Sequence, residues 1–203
     1  MKNLLSYVYG LGAIAGLMIS GALITRARRL ECSPKFFPGR LSGGARSPER
    51  IHLIVIHSTE STGTGAAVAS YFQSSGAFGS TQLIAGEDGI YRSVDDLKMP
   101  AGAPGANEDG LHIEIVGLAK WTRAEWLARA PKAIEYAARA VAEWGHKYKI
   151  PLAYVNAEAI KGGKARGVTT HNDVSKAFKK SDHWDPGPGF PMDVLLEKAR
   201  NYA

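Results

Sequence analysis

The sequence predicts an α/β domain with a mixed central β-sheet flanked by helices, preceded by an N-terminal hydrophobic helix. Three observations predict it. Short apolar runs of strand length alternate with segments of helical period. A hairpin signal, Glu87-Asp88-Gly89, sits among them. An uncharged run from Leu4 to Thr25 precedes the rest. The chain of 203 residues is long enough for one domain of ordinary size plus an extension, and an apolar fraction of 45% argues against wholesale disorder.

Residues 1–25 are read first. The run Leu4–Thr25 is 22 residues long and is bracketed by Lys2 and Arg26. A helix needs about 20 apolar residues to cross a bilayer. Gly10, Gly12, Ala13, Ala15, Gly16, Ser20, Gly21 and Ala22 make it only weakly apolar. Three readings stand: a stable membrane anchor (the default), a cleaved secretion signal, and an anchor that inserts and then releases the domain to the periplasm and cell wall. The positive-inside rule sets Lys2 against Arg26, Arg28 and Arg29 and favours keeping the rest of the chain in the cytoplasm.

Residues 26–50 read as a basic, Pro/Gly-rich linker. Of 25 Lys/Arg and 19 Asp/Glu, 8 and 2 fall in residues 1–50, leaving 17 of each beyond. The net charge of +6 therefore lies entirely in the N-terminal part. A nucleic-acid-binding body is excluded on that balance, because it needs a basic face to neutralise phosphates. The basic stretch suits a place beside anionic lipid or cell wall, or that of a solvated linker. Cys32 is the only cysteine, so no internal disulfide and no Cys-rich metal site can form.

A catalytic domain is expected over residues 51–203. Ile51–His57 has the length and branched content of a buried strand. Gly65–Ser74 suggests a short helix. Thr81–Ala85 and Ile90–Ser93 form the hairpin, and Leu111–Val116 is a further apolar run. Thr122-Arg123-Ala124-Glu125 fits a capping box, so a helix begins there, and Pro131 breaks or restarts it before helical spacing continues towards Tyr148. Pro151–Val155 reads as a strand, 156–170 as a loop, and Pro191 as the opening of the last helix.

Three distant residues sit in settings that suit a metal ligand. His57 ends the first strand. His171 opens the segment THNDVSKAFKKSDHWDPGPGFP, and Asp185 follows 14 positions later, just before Pro186-Gly187-Pro188-Gly189. Two imidazoles and one carboxylate leave a fourth tetrahedral position open, which distinguishes a catalytic zinc site from a closed structural one. Each histidine alone is more often simply hydrogen-bonded. His52 and His112 alternate with apolar residues and face outward or across the sheet, while His146 reads as a surface residue.

The patterns IVIHST, LHIEIVG, and TTHNDVS with HWDPGPGFP resemble the type-2 amidase family of N-acetylmuramoyl-L-alanine amidases. That family includes phage lysozyme-type enzymes and is related to peptidoglycan-recognition proteins. The resemblance runs from about Ile51 to Leu196 and includes the EDGIYRSVDD hairpin and Tyr148-Lys149-Ile150-Pro151. It implies the fold above, bacterial peptidoglycan as substrate, a Zn2+ ion on His57, His171 and Asp185, and Glu114 as catalytic glutamate. Asn107, which precedes the Glu114 strand, would bind substrate. His183 stands where the family often has a catalytic lysine, and the resemblance gives it that place. Gln82-Leu83 replaces a frequent His-Tyr pair, so a tyrosine-assisted mechanism is not expected.

The implied reaction is hydrolysis of the amide between N-acetylmuramic acid and L-alanine, used for host-cell lysis. The alternatives are a non-catalytic peptidoglycan-binding module, a cellular wall-remodelling or recycling amidase, and a glycosidase acting through two carboxylates.

Overall fold

The structure of the protein is a computed structural model and describes residues 33–203. The hydrophobic helix expected over residues 1–25 lies outside the described residues. Among the described residues, no helix is long and apolar enough to cross a membrane.

Six strands form one sheet. They are β1 (Lys35–Phe36), β2 (Leu53–Ser58), β3 (Leu83–Gly86), β4 (Gly89–Arg92), β5 (Gly110–Ile115) and β6 (Gly167–Thr170), in the order β1-β4-β3-β5-β2-β6. Only the β3–β4 hairpin is antiparallel, so the sheet is mixed, as the sequence predicts. Every residue of β2 is buried. Leu53 and Val55 pack with Ala103, Ala106, Ile160 and Val174 on one face. Ile54, Ile56, Leu111, Ile113 and Ile115 alternate with that set and are also buried, so both faces are covered.

The helices are α1 (Gly65–Gln73), α2 (Arg123–Arg129), α3 (Pro131–Tyr148), α4 (Ala157–Lys161), α5 (His171–Phe178) and α6 (Met192–Arg200). The capping box of α2 forms, with Thr122 Oγ1 accepting from Glu125 N and Glu125 accepting from Thr122 N. Pro131 restarts the helix as the first residue of α3, where its missing N–H costs nothing. The long helix packs along β3, β4, β5 and α6. Two adjacent carboxylates in the hairpin turn tie helices to the sheet. Asp88 accepts from Gly65 N and Ala66 N at the start of α1, and Glu87 accepts from Lys132 N and Ala133 N at the start of α3. A carboxylate at a helix N-terminus satisfies orphan donors and favours the helix dipole.

Three expectations are corrected. Pro151–Val155 is no strand: it meets the sheet through a single bridge, Tyr154 to Val168. The expected loop over 156–170 contains α4, capped by Asn156, and the edge strand β6. Residues 34–50, read from sequence as part of a linker, belong to the folded unit Pro34–Ala203. Within that stretch β1 pairs with β4, and Arg46 is buried.

Arg46 explains why this segment is held. Its guanidinium donates to the carbonyls of Asp96, Asn107, Glu108 and Gly110 at 2.7–3.1 Å. Burial pulls its pKa down to about 10, with Asp96 opposing, so it remains charged at neutral pH. Nearby, the buried Asp96 carboxylate accepts from Arg92, Trp144, Lys147 and Tyr148, which fixes the end of the hairpin to α3.

Arg46→Ala leaves these carbonyls unpaired and is expected to lower unfolding stability by about 3 kcal/mol or more. Urea denaturation measures it. An unchanged midpoint would show that the Arg46 contacts contribute nothing to the domain's stability.

Candidate metal centre and hydrolytic site

The parallel strands β5, β2 and β6 lie side by side, and the site is built at their carboxyl ends, where open α/β sheets leave a crevice for ligands. His57 is the fifth of six residues in β2, and Glu114 is its register partner on β5. Both therefore project from the same face. His171 follows β6 directly and opens α5. The Thr170 hydroxyl caps that helix by accepting from Asp173 N, which fixes where the turn begins.

Asp185 arrives from the loop between α5 and α6. Its Oδ2 lies 3.4 Å from His57 Nδ1, and its Oδ1 lies 3.1 Å from His171 Nδ1. Ser58 N donates to Oδ2 at 3.3 Å, and Asn172 N donates to the Asp185 carbonyl at 2.9 Å. The Pro-Gly-Pro-Gly run follows from the same closure. Gly187 has φ +81° and packs against the Ala119 backbone, and Gly189 packs against Trp121, so a Cβ at either position would collide with main chain. Ala119 N in turn donates to Glu60 Oε1, which also accepts from Ser58 Oγ.

One ligand atom from each of His57, His171 and Asp185 lies within 4.8 Å of the others, and all three residues are buried. Burial, joined by repulsion from His171, pulls the His57 pKa down to about 4 against the hydrogen bond the charged ring donates to Asp185. The imidazole is therefore neutral at neutral pH, the form that binds metal. Burial pushes the Asp185 carboxyl up, but hydrogen bonds and charge from His171 and His57 outweigh it and hold the group well below the usual range. The donor set thus fits a divalent ion: two imidazoles and an ionised carboxylate, with His171 Nε2 buried and unpartnered.

Glu114 stands beside this cluster. Its Oε2 is buried without a hydrogen-bond partner. Burial, reinforced by the negative charges of Asp185 and Glu60, pushes its pKa well above the usual carboxyl value. His183 is more than half exposed, stacks on His171 with ring centroids 4.3 Å apart, and places Nδ1 3.3 Å from Asp185 Oδ1. These five residues line one cavity of about 560 Å³, which Ala67, Val68, Tyr71, Phe72 and the 93% exposed Phe78 also line.

Two expectations change here. Asn107, expected to bind substrate, does not line the cavity. Its Oδ1 accepts from Gly102 N and Ala103 N, so it shapes the turn whose Gly102 does line it. His112, expected to face outward or across the sheet, is fully buried, and its Nδ1 lies 3.0 Å from His57 Nε2. Strand parity held the signal: His112 is two residues before Glu114, so whichever face takes one takes the other.

A three-donor cluster that could hold a metal ion, beside an isolated carboxyl at the carboxyl edge of a mixed α/β sheet, has the make-up of a hydrolytic site. The family profile described as N-acetylmuramoyl-L-alanine amidase matches residues 47–188, well over half of the chain. The chain belongs to this family, and its enzyme class is N-acetylmuramoyl-L-alanine amidase.

Solved structures share the fold. The Staphylococcus aureus hydrolase AmiA, solved with its ligand, aligns with TM-score 0.63 and 18% identity over 94% of this chain and 95% of its own. The N-acetylmuramoyl-L-alanine amidase LysC from Clostridium intestinale URNW gives 0.53 and 16% over 83% and 99%. The catalytic domain of XlyA gives 0.55 and 16% over 84% and 99%. At these identities the likeness is one of fold. No curated protein sequence matches the chain.

A buried carboxyl with a raised pKa costs stability as pH rises. The unfolded chain releases that proton near pH 4.3, while the folded chain keeps it to higher pH. In chelator, Glu114→Gln is therefore expected to be more stable than the wild type at pH 8, with the gain shrinking towards pH 4. Urea midpoints at the two pH values measure this. Equal midpoints at pH 8 would mean the carboxyl is solvated.

Proposed function

We propose that this chain is a zinc-dependent hydrolase that cuts the amide joining N-acetylmuramic acid to L-alanine in bacterial peptidoglycan, and that it serves host-cell lysis. The observation that carries the reading is the convergence of His57, His171 and Asp185 beside the unpartnered Glu114 carboxyl, in a chain of the amidase family.

His57, His171 and Asp185 would hold the ion. Zinc held there would supply Lewis acidity and make a water easier to deprotonate near neutral pH. Glu114 takes the proton from the attacking water. Its raised pKa makes the carboxylate a stronger base for that step, and the protonated carboxyl then delivers the proton to the departing alanine nitrogen. His183, at the exposed side of the cluster, donates to the carbonyl oxygen as negative charge grows there. Tyr71, Phe72 and Phe78 supply the apolar wall against which the substrate lies.

The uncharged run Leu4–Thr25 supports the lytic role by giving the domain a route towards the wall. Fractionation of expressing cells reads this directly: a membrane or periplasmic pool is expected, and an exclusively cytoplasmic one would rule out export.

The main test is digestion of purified peptidoglycan with and without chelator. New alanine amines should appear without new reducing sugar ends, and chelator should abolish them. New reducing ends, or full activity in chelator, would contradict the proposal, and zinc binding without any product would leave a wall-binding module.

Two variants sharpen it. Glu114→Gln should keep one zinc per chain while turnover falls about 100- to 10,000-fold. His57→Ala should lose both metal and activity, and a variant still holding one zinc would mean the ligand set is different.

A further inference from the structure

We propose that His112 is a positioning residue: it holds the His57 ring in the tautomer that turns a bare Nδ1 towards Asp185 and the zinc ion, an inference that rests on the zinc reading above. The two rings lie 5.2 Å apart, 30° from parallel, with His57 Nε2 and His112 Nδ1 at 3.0 Å. The far nitrogen, His112 Nε2, is 3.2 Å from the carbonyl oxygen of Ala106.

A neutral imidazole has one donor nitrogen and one acceptor nitrogen. The Ala106 carbonyl can only accept, so His112 carries its proton on Nε2 and offers a lone pair at Nδ1. His57 must then donate from Nε2. That leaves His57 Nδ1, the atom 3.4 Å from Asp185 Oδ2, as the lone-pair nitrogen, which a zinc ion between the two requires; without the ion this nitrogen can instead carry the proton and donate to Asp185. The reverse polarity would set two lone pairs face to face at Ala106, in a fully buried place where no water repairs the loss.

The His112 ring itself has little freedom. A Cβ at Gly102 would fall 2.6 Å from its Nδ1, and one at Gly110 would fall 2.9 Å from its Nε2, so the ring is packed between two glycine backbones. Its own main-chain N donates to the buried Gln82 Oε1 at 2.7 Å. The carbonyl that sets the polarity is also fixed, because Ala106 N donates to Ala103 and Ala106 O accepts from Gly110 N. A backbone carbonyl thus dictates, through one histidine, which nitrogen of a second faces the metal. Partners of this kind orient ligating histidines, and losing one typically weakens metal binding about 10- to 100-fold.

The test uses the full chain with 15N-labelled histidine. In zinc-loaded wild type, nitrogen NMR should show the His57 proton on Nε2 and the His112 proton also on Nε2. Zinc affinity is then measured by chelator competition for wild type, His112→Leu and His112→Asn. The leucine removes the acceptor at similar bulk and should weaken zinc about 10- to 100-fold. The asparagine Oδ1 stands near the place of Nδ1 and should restore affinity to within about threefold. A His112 proton on Nδ1 in the zinc-loaded wild type, or wild-type zinc affinity in His112→Leu, overturns the proposal.

If the leucine variant does not fold, the wild-type tautomer and the asparagine variant still decide. A wild type that binds no zinc overturns the zinc reading instead.

Discussion

Asp185 brings a buried carboxylate to within 3.1–3.4 Å of three imidazoles, and through that contact the loop entering α6 is held against the ends of β2 and β6. Burying a carboxylate is costly unless it is paired and hydrogen-bonded, and breaking such a pairing typically costs about 3–5 kcal/mol. The chain meets the cost locally. Ser58 N and Asn172 N donate to the residue, and the glycines beyond it let the loop lie flat on Ala119 and Trp121. The same contacts that seat the carboxylate set the spacing of the metal donors, so stability of this corner and chemistry of the site depend on one constraint.

The sheet register is what delivers the other groups. Val55 pairs with His112, and His57 pairs with Glu114, so four side chains on one face descend from a hydrophobic cluster to a polar site within two residues of strand. A slip of one residue between β2 and β5 would turn the set to the opposite face. That face is buried too, and ionisable groups there would have no partners. The need to partner the ionisable groups therefore selects the register, and the register specifies which polar groups meet.

Much of this arrangement was legible before any coordinates. The branched run ending in His57, the hairpin signal, the capping box at Thr122 and the proline restart at 131 each have a local physical cause that overrides context. The three donors were found by their settings and by a resemblance that covers the domain. What escaped is what depends on tertiary contact. β6 is only four residues, begins at a glycine and is held by β2, so its composition reads as loop. The stretch from Pro34 to Arg50 looks like a solvated linker until Arg46 is seen clasping four carbonyls from distant turns. Asn107 and His112 show the same limit for function. Which residue faces substrate, and which supports the one that does, follows from packing, although strand parity did mark His112 as sharing the face of Glu114.

The central claim is that His57, His171 and Asp185 together hold one zinc ion. Anomalous scattering at the zinc absorption edge, from crystals of the full chain, tests it most directly. The account predicts a single strong peak bonded to one imidazole nitrogen of each histidine and to the Asp185 carboxylate, with an open position towards the cavity beside Glu114. A peak held by other side chains, or one closed off by a fourth protein ligand, would contradict it.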